Sequence, residues 1–215
     1  MTTTAWRPFS GNDDVEINFS TMSRQFFFLT TDRDIILVIE HTSSSNRRAR
    51  KERVRHLEGL TALWIMSISQ GLFLGSVGVA LNKEALKNLN ITHVLIVAKS
   101  LDPAFPNDFT YKKIDVLDTP DTNLKEHFEE CFDFIDSARK DGGGVLVHCF
   151  AGRSRSVTII LAYLMKKHRM SLSRALELVR SKRPQVGPNP GFMLQLQNFE
   201  KSLEVIQQSS TSGEF

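Results

Sequence analysis

The sequence predicts an α/β fold in which a central, mostly parallel, twisted sheet is flanked by helices. Two observations carry this prediction. From residue 70 onward, short apolar segments alternate with amphipathic ones, which is typical of a parallel sheet whose strands are joined by helices. Two of these segments, His93–Val97 and Val145–Val147, are apolar almost throughout, as expected of strands that are covered on both faces.

The predicted elements follow one another along the chain. Glycines bound the first short strand, Gly71–Gly75, and the helix Asn82–Leu89 follows it. Asn123 and Glu126 are predicted to cap the amphipathic helix Asn123–Ala138, which ends at three consecutive glycines. The other strands and helices are predicted at His93–Val97, Tyr111–Leu117, Val145–Val147, Ser154–His168, Ser171–Lys182 and Gly191–Ile206.

Residues 1–69 lack this alternation. Residues 1–23 are polar without a period, and Phe26–Phe28 and Ile35–Ile39 are either strands or short buried segments. Residues 47–56 are basic, with six of the 27 Lys and Arg residues lying between positions 47 and 55. The chain is therefore divided into a poorly ordered N-terminal extension (1–69), a folded domain (70–207) and a disordered tail (208–215).

Composition excludes several classes of protein. The net charge of +3 is too small for a typical nucleic-acid-binding protein, and two cysteines cannot form a disulfide framework or a structural zinc site of the usual spacing. The first twenty residues show no secretory signal, and the longest apolar runs are too short to span a membrane. We expect a soluble protein of the cytoplasm, the nucleus or both, with no nucleic-acid or membrane partner.

The segment that carries chemistry follows the strand Val145–Val147. It places a cysteine and an arginine six residues apart, with a glycine and two serines, in the order His148-Cys149-Phe150-Ala151-Gly152-Arg153-Ser154-Arg155-Ser156. A tight loop before a helix presents backbone N–H groups that bind a phosphate oxyanion. We expect these donors to come from Phe150, Ala151, Gly152, Arg153, Ser154 and Arg155, with the guanidinium of Arg155 holding two phosphate oxygens at once.

The same donors favour a thiolate at Cys149, because a thiol at a helix N-terminus ionises more readily than a free thiol. Cys149 is therefore predicted to be a nucleophile that attacks phosphorus. Ser156 is predicted to hydrogen-bond the sulfur and to help it leave, and His148 to support the loop through hydrogen bonds. The alternative is that Cys149 is a small buried residue and Arg155 a surface charge, but the spacing and the flanking residues weigh against it.

This segment resembles the signature of the protein tyrosine and dual-specificity phosphatases, and the resemblance extends from Gln70 to Ser202. Further details resemble the small dual-specificity phosphatases that act on MAP kinases, especially those of plants; they lie at 154–158, 162–165 and 188–192. The resemblance implies a shallow pocket for phosphotyrosine and for phosphoserine or phosphothreonine, with no metal and no organic cofactor. It makes 70–207 the catalytic domain.

A general acid must protonate the leaving oxygen, and three aspartates are candidates: Asp115, Asp118 and Asp121. Asp118 lies just past the predicted strand end and about thirty residues before Cys149, where the family has its acid, so it is our choice. The resemblance also implies that Asn189 steadies the phosphate-binding loop.

Three features have open alternatives. Cys131 lies on the apolar stripe of its helix, so it either packs in the core or forms a protective disulfide with Cys149. Arg153 either selects acidic substrates or faces solvent. The basic segment within 47–64 is a nuclear address, a docking site for a kinase, a calmodulin target or a solvated stretch.

The sequence thus predicts a dual-specificity protein phosphatase whose partner is a phosphorylated protein, with a MAP kinase as the expected substrate. One alternative is the same mechanism acting on a phosphoinositide, an RNA 5′-phosphate or a glucan. Another is a phosphate-binding scaffold without turnover.

Overall fold

Seven strands form one sheet in the structure, a computed structural model that describes residues 26–30, 35–40 and 64–211. The strand order is β1-β2-β3-β4-β7-β5-β6. The strands are β1 (Phe26–Thr30), β2 (Ile35–Glu40), β3 (Trp64–Ser69), β4 (Leu72–Gly75), β5 (Ile91–Val97), β6 (Thr110–Ile114) and β7 (Gly144–His148). The predicted basic segment at 47–56 and the docking segment at 47–64 lie outside the described residues, apart from Trp64.

The sheet has a parallel and an antiparallel part. Strands β4, β7, β5 and β6 pair in parallel and form the predicted central sheet. Strands β1, β2, β3 and β4 pair antiparallel, so three strands extend one edge. The sheet therefore begins before residue 70, where the sequence places the start of the catalytic domain. Ile65 and Met66 of β3 are buried, which ties this strand to the core.

Helices cover both faces of the sheet, which confirms the predicted α/β class. They are α1 (Val77–Ala80), α2 (Lys83–Asn88), a 3₁₀ turn (Lys125–His127), α3 (Phe128–Lys140), α4 (Arg155–His168), α5 (Leu172–Lys182) and α6 (Pro190–Thr211). Within the described part of the chain, none of these helices is long and apolar enough to cross a membrane. Helix α6 includes 208–211, which the sequence places in the tail, and 212–215 lie outside the described residues.

Alternating side chains of the parallel strands separate two hydrophobic cores. In β7, Val145 and Val147 join the core beneath α3–α6, whereas Leu146 joins the core beneath α1 and α2. Strand β5 alternates in the same way, with Leu95 on the first face and Val94 on the second. A strand that is apolar on both faces is therefore covered on both, as the sequence predicts.

The predicted helix Asn123–Ala138 differs from the structure at its start. A 3₁₀ turn precedes α3, and Asn123 donates a side-chain hydrogen bond to the Glu126 side chain (3.1 Å) instead of capping the backbone. The backbone N–H groups of Leu124 and Lys125 instead donate to Oε1 of Gln195 in α6, both at 2.9 Å. A residue 70 positions away supplies the acceptor, so local spacing could not predict it.

The carboxyl ends of the parallel strands meet at one edge of the sheet, where ligands bind in folds of this type. Strand β7 ends at His148, so Cys149 begins the loop at this edge. Strand β6 ends at Ile114 rather than at the predicted Leu117, because Val116 N–H donates to the Ile114 carbonyl in a tight turn (3.0 Å). This turn brings Asp118 to the same edge as Cys149.

Candidate active site

The loop between β7 and α4 is held from outside through its carbonyl groups. The carbonyl of Phe150 accepts from Val77 N–H (3.0 Å), and that of Arg153 accepts from Gly187 N–H (2.9 Å). In a trans peptide the carbonyl and the N–H of the next residue point in opposite directions. Because these two carbonyls point out of the loop, the N–H groups of Ala151 and Ser154 point into it. Gly152 has φ +62°, a left-handed conformation that glycine adopts without the strain of a side chain.

Cys149 lies at the base of this loop and is only 1% exposed. Ser156, in the first turn of α4, is fully buried and donates a hydrogen bond from Oγ to Cys149 Sγ (3.2 Å). The N-terminus of α4 lies at the end of the same loop, so its partial positive charge acts at the loop. The structure thus brings the predicted nucleophile and its predicted hydroxyl partner together.

Arg155 begins α4 and reaches back across the loop. Its side chain is 12% exposed, and Nη1 donates to the carbonyl of Val116 (3.4 Å). Its Nε lies 3.4 Å from Oδ2 of Asp118, an ion-pair distance, but makes no hydrogen bond to any described residue. This buried N–H is therefore a donor for which a bound anion is a suitable acceptor.

Asp118 is the one of the three candidate aspartates that the described contacts join to the loop. Its Oδ1 accepts from Ser154 Oγ (2.6 Å) and from Asn189 Nδ2 (3.0 Å). Asp115 is 64% exposed and pairs with Lys113. Asp121 is exposed, and a hydrogen bond with Thr119 lowers the pKa of its carboxyl.

Asn189 contacts the phosphate-binding loop through its backbone rather than through its side chain. Its Nδ2 donates to Asp118, and its Oδ1 accepts from Phe192 N–H in α6 (3.0 Å). Contact with the loop comes from its backbone N–H, which donates to Ser154 Oγ (3.1 Å). Asn189 therefore joins three segments: the loop, the Asp118 turn and the start of α6.

His148 is 2% exposed, and its Nδ1 lies 3.2 Å from the Cys149 carbonyl oxygen. A carbonyl oxygen only accepts, so Nδ1 carries the hydrogen in this pair. Burial lowers the pKa of His148 to about 4, so the imidazole is neutral at pH 7. A neutral, buried imidazole is suited to a supporting hydrogen bond.

Arg183 is a site residue that the sequence pattern does not predict. Its guanidinium donates from Nη2 to the carbonyl of Ala151 (3.4 Å), so it contacts the loop from the segment after α5. Burial and the neighbouring charge of Arg153 lower the pKa of Arg183 to about 10, and Cys149 opposes this shift. A basic residue directly before Pro184 and near the Pro188–Pro190 segment was the available signal.

The two remaining alternatives concern Arg153 and Cys131. Arg153 is exposed and donates from Nε to the Gln185 carbonyl (3.0 Å). Cys131 is fully buried in the core beneath α3–α6, as its place on the apolar stripe predicts. Burial raises the pKa of the Cys131 thiol to about 12, so almost none of it is thiolate at pH 7. A thiol that is so rarely ionised attacks another sulfur slowly, which weighs against the protective disulfide between Cys131 and Cys149.

The loop, its buried cysteine and the facing aspartate correspond to a known family. Residues 72–202 match the family model described as the catalytic domain of dual specificity phosphatase. The chain belongs to the dual-specificity phosphatase family. It is a cysteine-dependent protein phosphatase with the family's α/β fold.

Relatives agree with this family. Dual specificity protein phosphatase 1 of Arabidopsis thaliana is 60% identical over 141 residues, which cover 66% of this chain and 71% of that protein. The MAP kinase phosphatase with leucine-rich repeats protein 3 of Dictyostelium discoideum is 48% identical over 137 residues, 63% of this chain but 16% of that protein. The crystal structure of human DUSP28 has a TM-score of 0.63 and 34% identity, covering 65% of this chain and 95% of the human chain. The resemblance to plant dual-specificity phosphatases is thereby confirmed.

Proposed function

We propose that this phosphatase hydrolyses phosphotyrosine and phosphoserine or phosphothreonine in proteins through a cysteinyl-phosphate intermediate. The observation that carries the proposal is the convergence of Cys149, Ser156, Arg155 and Asp118 on one loop. The backbone N–H groups of the loop and Arg155 neutralise the charge of the phosphate, so the mechanism that we propose needs no metal and no organic cofactor. Among the described residues, no three His, Cys, Asp or Glu side chains are grouped to hold a metal ion.

In the first step, the Cys149 thiolate attacks phosphorus and the bond from phosphorus to the substrate oxygen breaks. Asp118 donates its proton to the departing oxygen, so that tyrosine, serine or threonine leaves as a neutral hydroxyl. Arg155 holds two of the remaining phosphate oxygens. Its Nε–H has no hydrogen-bond acceptor within the part of the chain that the structure describes, which supports that role.

In the second step, water attacks the phosphorus of the intermediate and the Asp118 carboxylate takes a proton from the water. The sulfur–phosphorus bond breaks and inorganic phosphate forms. The Ser156 hydroxyl donates to the sulfur as it regains negative charge, a role that its 3.2 Å hydrogen bond to Sγ supports. Cys149 returns to the thiolate and Asp118 to the acid.

A MAP kinase is the substrate that we propose. Support comes from the relatives, one of which carries MAP kinase phosphatase in its name. Two exposed side chains that adjoin catalytic residues in sequence are apolar: Phe150 beside Cys149 is 51% exposed, and Leu117 beside Asp118 is 55% exposed. Arg153 is the one exposed basic side chain of the loop 149–154. Such a rim suits a peptide that presents its own apolar side chains better than it suits a polyanionic headgroup.

We also propose that the segment 47–64 docks the kinase or calmodulin. The protein is proposed to act in the cytoplasm or the nucleus.

The substrate class is tested by comparing kcat/KM on different phosphate esters. We expect a doubly phosphorylated activation-loop peptide to exceed phosphoinositides, an RNA 5′-phosphate and a phosphorylated glucan by at least about tenfold, a difference near 1.4 kcal/mol in transition-state binding. Cys149→Ser is the control and should have no activity on any of them. A higher kcat/KM on a non-protein phosphate would contradict the proposed substrate, and the absence of turnover on an aryl phosphate with reduced protein would favour the scaffold.

A further inference from the structure

We infer that Ser154 and Asn189 are positioning residues for the general acid: together they bind one oxygen of Asp118, so that the other oxygen carries the transferred proton. This inference rests on the proposed function, because it needs Asp118 to be the acid. It assigns to Ser154 and Asn189 a role in proton transfer rather than in phosphate binding alone.

The hydrogen bonds around Asp118 give its two oxygens different surroundings. Oδ1 accepts from Ser154 Oγ at 2.6 Å and from Asn189 Nδ2 at 3.0 Å. A proton on Oδ1 would point at these two donors, so protonation there is unfavourable. Oδ2 lies 3.4 Å from Arg155 Nε, on the side of the residue that is proposed to hold the phosphate, but Nε makes no hydrogen bond to it, so no donor of the described residues occupies this oxygen. The proton is therefore directed to Oδ2.

The directions of these hydrogen bonds follow from the network. Phe192 N–H only donates, and it lies 3.0 Å from Asn189 Oδ1, so the amide oxygen faces α6 and the amide NH₂ faces Asp118. Asn189 N–H donates to Ser154 Oγ (3.1 Å), which leaves the single hydroxyl hydrogen of Ser154 for Asp118. Both residues are donors to the carboxylate.

The network also fixes the carboxylate to a rigid element. Asn189 is anchored to the first turn of α6 by Phe192 N–H and by Met193 N–H, which donates to the Asn189 carbonyl (3.0 Å). Ser154 immediately precedes α4, and its carbonyl accepts from Thr158 N–H (2.9 Å). Asp118 itself lies in a turn after β6. Its side chain is therefore positioned by residues at the starts of two helices, α4 and α6, and not by its own segment.

A purely structural role for Ser154 and Asn189 predicts a different kinetic pattern. If they only shaped the phosphate-binding loop, their loss would weaken phosphate binding and slow every substrate alike. If they position the acid, their loss slows only those substrates whose leaving oxygen needs a proton. Leaving-group dependence therefore separates the two roles.

The experiment uses the full chain with Ser154→Ala and Asn189→Ala, and a series of aryl phosphates whose phenols differ in acidity. We expect kcat/KM to fall about tenfold to a hundredfold for the least acidic phenol, the loss associated with a charge-assisted hydrogen bond, and to stay near wild type for the most acidic. The inhibition constant of inorganic phosphate should not change. Ser154→Thr keeps the hydroxyl and should restore activity towards the poor leaving groups.

Matched controls lie in α6 away from the network: Ser202→Ala and Asn198→Ala should leave the whole series unchanged. In an Asp118→Asn background, Ser154→Ala should cause no further loss on poor leaving groups. An equal fall for all phenols, or weaker phosphate inhibition, would overturn the inference. If instead Asp118→Asn itself lowered kcat/KM equally for all phenols, Asp118 would not be the acid. That result would contradict the proposed function and is distinguishable from a failure of this inference.

Discussion

His148 and Cys149 are neighbours in sequence, and both are buried at the end of β7. The imidazole of His148 has its Nδ1 bonded to the Cys149 carbonyl and a pKa of about 4. It therefore stays neutral over the range in which a protein phosphatase works. We infer that His148 supports the loop and contributes no ionisation to the pH dependence of the reaction near neutrality.

The buried imidazole makes the stability of the protein depend on pH. In the unfolded chain His148 binds a proton near pH 6.5, whereas in the folded protein it does so only near pH 4. The stability that the neutral, buried His148 contributes is therefore fully present above pH 6.5, and it is lost as the pH falls towards 4. A shift of this size corresponds to about 3 kcal/mol.

His148→Gln tests this directly, because glutamine keeps a donor and does not titrate. Between pH 7 and pH 4 the free energy of unfolding should fall by about 3 kcal/mol less in the variant than in the wild type, as measured by urea unfolding. Other titrating groups are the same in both proteins and cancel in the difference. The same pH dependence in the two proteins would show that His148 is not the buried neutral group described here.

Helix α6 organises the site at the scale of secondary structure. Its first turn anchors Asn189, and Gln195 one turn further on binds the segment that follows Asp118. Gln195 Nε2 donates to the Thr122 carbonyl (2.8 Å), while its Oε1 accepts the N–H groups of Leu124 and Lys125. One side chain thus satisfies three backbone groups ahead of α3.

Gln195→Ala should lower the free energy of unfolding by about 0.5–1.5 kcal/mol, because Lys125 N–H loses its acceptor and the Thr122 carbonyl loses its side-chain donor. Leu124 N–H keeps a second acceptor, the Thr122 carbonyl (3.1 Å). The matched control is Gln197→Ala on the same helix; Gln197 is exposed, and its replacement should change stability by less than about 0.5 kcal/mol. Both values come from urea unfolding at pH 7. Equal effects of the two substitutions would mean that Gln195 does not cap this segment.

For the whole molecule, the sequence predicts the parts of the structure that local pattern controls. The buried strand before Cys149, the glycine-containing loop and the helix that begins at Arg155 lie where apolar runs, spacing and glycines place them. The parallel central sheet follows from strands such as His93–Val97 that are apolar on both faces. The choice of Asp118 as the acid stays a prediction, and its contact with the loop supports it.

The parts that the sequence does not predict depend on contacts between distant residues. Gln195 lies 70 or more positions from the backbone groups that it binds, and Arg183 lies 32 positions from Ala151, which it contacts. Asn189 bonds a carboxylate 71 positions away. The sequence offers Phe26–Phe28 and Ile35–Ile39 as possible strands, but these short apolar segments do not reveal that they pair antiparallel at the edge of the sheet. Tertiary structure decides such contacts, and no local pattern encodes them.

The most direct test of the central claim is to detect phosphate on Cys149. Asp118→Asn is mixed with an aryl phosphate whose phenol is highly acidic, in buffer with excess chelator, and quenched rapidly. The first step then needs no acid, whereas the second lacks its base, so the intermediate accumulates. Peptide mapping by mass spectrometry should find a phosphoryl group on Cys149, and Cys149→Ser should carry none. Turnover that requires a metal ion, or a phosphoryl group on another residue, would contradict the account.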